Sequence, residues 1–141
     1  MQGDKTGDTP LSEQVKAYIK DKYNKPGEVF LGVTHRLDRP TTGVVLFART
    51  SKALTRLNAM FQSHEQIQKT YWAIVEERPQ QDEASLTHYI VRDGRTNRSR
   101  AYDKPKADGK KAMLNYKLLG CSTRYTLLEV ELLTGRHHQI R

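Results

Sequence analysis

Apolar positions recur along the chain with two periods, 3.6 and 2, and the changes between them mark out its elements. Thr9-Pro10 opens the first helical pattern, with Thr9 as N-cap, Pro10 at the first helical position, and Leu11, Val15, Tyr18 and Ile19 on one face. Asp21 to Glu28, with Asn24, Pro26 and Gly27, is a turn-rich connector leading into Val29-Phe30-Leu31. Val44-Val45-Leu46-Phe47-Ala48 reads as a short buried strand. Ser51 then caps a second helix whose Leu54, Leu57, Met60 and Phe61 form a core stripe. From Gln66 to Val75 the pattern alternates, with Lys69, Tyr71, Ala73 and Val75 on one face and Thr70, Trp72 and Ile74 on the other. Ala84 to Val91, Ala112 to Leu119 and Tyr125 to Leu133 have strand composition, with a hairpin turn at Gly120 to Arg124. After Thr134-Gly135 the remaining residues are expected to begin a helix. Strands outnumber helices and turns join most of them, so the class is α+β, a mainly antiparallel mixed β-sheet with a few flanking helices.

Composition narrows the partners. The 141 residues predict a single domain behind a polar lead-in, residues 1 to 8. Lys and Arg number 24 against 16 Asp and Glu, a net charge of +8 that favours a polyanionic partner. The excess concentrates between Arg92 and Lys111, where Arg92, Arg95, Arg98, Arg100, Lys104, Lys106, Lys110 and Lys111 face only Asp93, Asp103 and Asp108. Gly94, Pro105 and Gly109 interrupt that stretch, which predicts a basic loop or hairpin that orders on a nucleic acid, although such a run is also compatible with a solvated loop. A single cysteine, Cys121, excludes an internal disulfide framework and a thiolate metal cluster. His35, His64, His88, His137 and His138 match no zinc spacing, so no metal is expected. No apolar run approaches a membrane span or a signal peptide, and a cytoplasmic monomer without membrane association is the expectation.

The densest chemistry lies in Thr34-His35-Arg36-Leu37-Asp38-Arg39-Pro40-Thr41-Thr42-Gly43. Asp38 lies between the guanidiniums of Arg36 and Arg39, Pro40 biases Arg39 away from the helical region, and Gly43 can release the backbone into the next strand. A polar loop at the end of a strand is a common place for catalytic groups. Spacing alone leaves the alternative of an ordinary surface ion pair open.

The residues from His35 to Gly43 resemble the H-R-L-D-x-x-T-S-G signature of the RluA-type RNA pseudouridine synthases, with Thr42 where that family usually has Ser. Lys69-Thr70-Tyr71-Trp72-Ala73 is similar to the family's K-x-Y-x-A strand, and Leu133 to Arg141 to its L-x-T-G-R-x-H-Q-I-R segment, in the same order. The resemblance runs from about Leu31 to Arg141. It implies the pseudouridine synthase catalytic-domain fold, here incomplete at both ends because the family's domain is longer. It also implies isomerisation of specific uridines in structured RNA, ribosomal or transfer, without a cofactor. Carried over residue by residue, it makes Asp38 the catalytic carboxylate, Tyr71 the ring stacked on the target base, and Arg141 the partner of Asp38. Arg36 would fill the space that the base vacates; His35, Arg39, Arg92, Arg95, Arg98 and Arg100 would contact RNA, and Arg136 would either support its local loop or meet RNA phosphate. The competing readings are a catalytically inactive RNA-binding fragment and, more remotely, a glycosidase, which normally needs a second carboxylate at a defined separation.

Overall fold

A computed structural model describes residues 7–38, 40–63 and 66–141. The chain folds as two compact units, Met1–Gln66 and Ile67–Arg141.

In the first unit, α1 spans Leu11–Lys22. Its N-cap is Pro10, at φ −58° and ψ 143°, whose carbonyl accepts the amides of Glu13 and Gln14 at 3.0 and 3.2 Å. The helix therefore starts one residue later than the Thr9 cap predicts: the ring fixes only φ, and ψ of Pro10 is extended. Thr9 is held through its backbone, its carbonyl accepting Gln14 Nε2 at 3.0 Å. The buried side of the helix carries Ser12 and Ile19. Leu11 and Tyr18, expected on the core face, are 38% and 57% exposed. A stripe centred on Ser12, Val15 and Ile19 leaves them on its margins, and the Tyr18 hydroxyl instead accepts the Lys22 ammonium at 2.7 Å.

Two short strands, β1 (Gly32–Val33) and β2 (Phe47–Ala48), pair antiparallel with Gly32 opposite Ala48 and Val33 opposite Phe47. The predicted strand from Val44 is thus cut to its last two residues. Val44 is 85% and Leu46 41% exposed, and only Ala48 of the five is fully buried. The cause is local: the partners of Leu46's backbone are side chains, as set out below, so the ladder cannot extend. Helix α2 spans Ser51–Ser63 and packs on both strands. Thr50, not Ser51, is its cap, the hydroxyl accepting the Ala53 amide at 3.1 Å in the third helical position. Leu54, Leu57, Met60 and Phe61 form a half-buried stripe, as their spacing predicts.

Gly32 fixes the approach of β1 to α2. A β-carbon there would lie 2.9 Å from both δ-carbons of Leu54 and 3.1 Å from its β-carbon. Gly32→Ala should therefore destabilise the fold by about 1–3 kcal/mol through overpacking. Urea unfolding measures this, and an unchanged midpoint would contradict the close approach.

The second unit is a five-stranded sheet in the order β3-β7-β6-β4-β5, with every pairing antiparallel. Its strands are β3 (Thr70–Val75), β4 (Glu83–Asp93), β5 (Arg98–Tyr102), β6 (Lys110–Cys121) and β7 (Thr126–Leu132). Ile90, Ala112, Thr126, Leu128 and Val130 are buried on one face. The opposite face leaves Trp72 and Ile74 each 73% exposed. Among the described residues no helix is long and apolar enough to cross a membrane. The expected terminal helix does not form. Residues after Gly135 make successive turns, with Gln139 N–H on the Arg136 carbonyl, Arg141 N–H on the His138 carbonyl, and His138 at φ 53°.

Candidate active site

Asp38 belongs to the first unit, on the loop that joins β1 to β2. The first two residues of that loop close its neck. The Thr34 hydroxyl donates to the Leu46 carbonyl at 2.6 Å, and the Leu46 amide donates to His35 Nε2 at 2.9 Å. Side chains thus take the places of backbone groups where the β1–β2 ladder ends. An acceptor Nε2 requires the neutral ring with its proton on Nδ1. Burial acts in the same direction, pushing the His35 imidazolium below its ordinary pKa. The ring also packs on Phe61 of α2, centroids 4.9 Å apart, so the helix stripe braces the neck. Further along, the Thr41 amide donates to the Asp38 carbonyl at 2.9 Å across Pro40, and Gly43 has φ 152°, a conformation that a side chain would strain. Asp38 is half-buried and Arg36 exposed. Arg39, expected to contact RNA, and His64 lie outside the described residues, as do residues 1–6 of the lead-in.

Tyr71, Arg136, Arg141 and the four arginines of the basic stretch belong to the second unit. Tyr71 pairs with Val130 in the middle of the β3–β7 ladder, and the register places it on the sheet's buried face with Ala73 and Val75. The stretch from Arg92 to Lys111 comprises the end of β4, a turn, β5, a loop and the start of β6. Arg92 donates to Asn97 Oδ1 at 3.0 Å, while the Asp93 carboxylate accepts the Arg95 amide and the Thr96 hydroxyl, both at 2.8 Å. Those turn bonds, led by the Thr96 hydroxyl, hold the Asp93 carboxyl below its ordinary pKa.

The segment carrying Arg136 and Arg141 is seated on β6 by two polar side chains of its own motif. Thr134 Oγ1 accepts the Met113 amide at 2.8 Å and donates to Gln139 Oε1 at 2.9 Å. Gln139 Oε1 also accepts the Arg136 amide at 2.9 Å, and its Nε2 donates to the Met113 carbonyl at 3.0 Å. Arg136 Nε donates to the Lys111 carbonyl at 2.8 Å, a loop-supporting role, while Arg141 is exposed. The second and third motifs meet within this unit. The Leu132 amide donates to the Lys69 carbonyl at 2.9 Å, and the Lys69 ammonium lies 3.8 Å from where a β-carbon on Gly135 would stand. Burial pushes that ammonium below its ordinary pKa.

The motifs assign His35 to RNA and give no role to Thr34, Thr134 or Gln139, yet all four support backbone here. Each lies in or beside a motif, but whether a polar side chain faces RNA or its own backbone is decided by tertiary pairing. Ser99 carried no signal at all; its hydroxyl donates to the His137 carbonyl at 3.0 Å and lies 2.9 Å from His137 Nδ1.

The family description "RNA pseudouridylate synthase" matches residues 2–141. An uncharacterized RNA pseudouridine synthase of Chloroflexus aurantiacus is 41% identical over 115 residues, 82% of this chain and 35% of the relative. The tRNA pseudouridine synthase C of Vibrio cholerae is 35% identical over 118 residues, 76% of this chain and 47% of the relative. The chain thus spans between a third and a half of the length of these relatives. The solved structure of human RNA pseudouridylate synthase domain containing 4 superposes with a TM-score of 0.78 at 23% identity, covering 96% of this chain and 54% of that one, a likeness of fold. Three ordered motifs, an antiparallel α+β fold and a family match over nearly the whole length lead to one assignment: the chain belongs to the RNA pseudouridylate synthase family, with the motifs of its RluA type.

Proposed function

We propose that this chain carries the catalytic residues for converting specific uridines of structured RNA, ribosomal or transfer, into pseudouridine. In that reaction the bond from uracil N1 to the ribose C1′ breaks, the base turns, C5 bonds to C1′, and the C5 hydrogen leaves as a proton while N1 gains one. Redox state is unchanged, so neither cofactor nor metal is called for. Asp38 is the carboxylate that opens the reaction, Arg141 its guanidinium partner and Tyr71 the ring on which the base stacks. The observation that carries this reading is the pinned neck of the Asp38 loop, where Thr34 and His35 bond to Leu46, His35 packs on Phe61, and half-buried Asp38 follows His35 by three residues. Such preorganisation serves a reacting group more than a surface ion pair.

The target base must leave its stack before a carboxylate can reach it, at a cost of a few kcal/mol. Arg36, exposed and two residues before Asp38, is the planar cation that takes its place. His35 through Nδ1, together with Arg39, Arg136, Arg92, Arg95, Arg98 and Arg100, contacts the RNA, and the enzyme acts as a cytoplasmic monomer. Arg36→Ala should lower turnover on a folded RNA by about tenfold or more and on a minimal hairpin by much less, because unstacking is the step it assists. Equal loss on both RNAs would remove the flipping role.

The rival is an RNA-binding fragment without turnover. Its support is the third to a half of the relatives' length that the chain spans. Pseudouridine detected in RNA incubated with this chain decides between them.

A further inference from the structure

The basic hairpin does not present its arginines to one side. Residues opposite each other in an antiparallel ladder share a face, and successive residues alternate. Tyr71 stands opposite Val130, Val130 opposite Tyr116, and Tyr116 opposite Ala84, so the even-numbered positions of β4 share the Tyr71 face. Arg92 is one of them, and it stands opposite Ser99 of β5. Arg98, Arg100 and Tyr102 stand opposite Asp93, Val91 and Tyr89, on the other face.

The two faces are also occupied differently. On the Tyr71 face, Arg92 donates to Asn97 and Ser99 is joined to His137 of the third motif, which anchors the hairpin to the segment carrying Arg136 and Arg141. On the opposite face Arg98 and Arg100 are both exposed, two positions apart on a strand and hence about 6.5 Å apart along it. Tyr102 follows them, with the Lys106 ammonium 5.3 Å from its ring centroid. Within the hairpin, Asp93 is the acid of this face, its carboxylate held inside the turn by Arg95 and Thr96; Glu83, Glu129 and Glu131 share the face farther along the sheet. β5 is the edge of the sheet, so nothing in the ladder order separates the two faces there.

We propose that the face of the hairpin bearing Arg98, Arg100, Tyr102 and Lys106 is a second RNA-backbone surface, taking a segment of the substrate other than the one whose base reaches Tyr71. The RNA passes around the β5 edge and is held on both sides of it. The substrate is then a folded RNA with a strand or stem beyond the target loop, and a minimal hairpin fills only the Tyr71 side. This rests on the proposed function and sharpens its substrate class.

The test is equilibrium binding of the wild-type chain and the Arg98→Gln/Arg100→Gln double variant to a folded transfer RNA transcript and to a minimal uridine-loop hairpin, across a salt series. Two lost phosphate contacts should reduce the salt slope on the transcript by roughly 1.5 and weaken binding about tenfold. Hairpin affinity should change by less than about twofold. Equal loss on both RNAs would place these arginines on the target segment, and no loss on either would make them a solvated face; both results overturn the proposal. An Arg92→Gln variant serves as the Tyr71-face comparison and should weaken both RNAs alike. Isomerisation plays no part in this readout. Loss on the transcript alone, from a chain that forms no pseudouridine, would uphold the surface and refute the catalytic reading.

Discussion

Asp38→Asn should abolish pseudouridine formation, with a loss of about 10⁴-fold or more, while RNA affinity stays within about threefold of wild type. The magnitude is that of removing a single reacting group from a preorganised site. Asn keeps the size and planarity of the side chain, so the loop closed by Thr34 and His35 on Leu46, and the turn from Asp38 to Thr41, have no reason to open. What disappears is the charge and lone-pair basicity that either attack on the sugar or addition to the base requires. RNA affinity should not suffer, because removing one anion from a chain of net charge +8 does not weaken its attraction for phosphate. Turnover and binding measured on one preparation separate the effects. Parallel loss of both would mean that the substitution disturbs the fold, and retention of both would mean that Asp38 is not the reacting group.

Tyr71→Ala should lower kcat/KM by about 5- to 150-fold, the equivalent of losing one base–aromatic stack of roughly 1–3 kcal/mol. Tyr71→Phe, which keeps the ring, should lose far less. The control is on the same strand: Trp72, opposite Glu129 on the other face and 73% exposed, is the larger aromatic yet should be nearly silent when changed to Ala. Tyr71 is itself half-buried beside its ladder partner, Val130, so the Ala change acts on folding as well as on stacking. Urea unfolding of both Tyr71 variants separates the two, since a stability loss shared by Phe and Ala cannot explain a kinetic loss confined to Ala. A larger loss from Trp72 than from Tyr71 would contradict the assignment of faces.

The long strands were legible because alternation and turn chemistry agreed. Tyr71, Ala73 and Val75 fall on one face and Trp72 and Ile74 on the other, as period 2 requires, and β6 and β7 meet at a turn over Ser122 to Tyr125, shifted from the expected Gly120 to Arg124 because Gly120 and Cys121 still pair with Leu127 and Thr126. The short elements were less legible, since tertiary partners outweigh composition there. Val44 to Leu46 are strand-forming residues without a strand, because Thr34 and His35 occupy the backbone of Leu46. Helix caps moved by one residue at Pro10 and Thr50, where two adjacent residues could each serve and only the first turn's hydrogen bonds choose. The terminal segment has no helix-breaking residue after Gly135, and its turns follow from Gln139 reaching back to Thr134, Arg136 and Met113. In the site, the resemblance located the motifs but not the division of labour inside them. His35 braces the loop and the four hairpin arginines divide between two faces and a turn, whereas Arg136 bonds to Lys111 in the loop-supporting manner that its motif already allows.

The central claim is that a braced carboxylate in this chain isomerises uridine, and its most direct test is tritium release from RNA carrying 5-tritiated uridine. Bond formation from C5 to the sugar expels that hydrogen, so the readout is the reaction itself. Ribosomal and transfer RNA transcripts incubated with the wild-type chain should release tritium from at least one of them, in proportion to the pseudouridine formed, and Asp38→Asn should release none. RNA that is bound by the wild-type chain without any release would contradict the account and leave an RNA-binding fragment in its place.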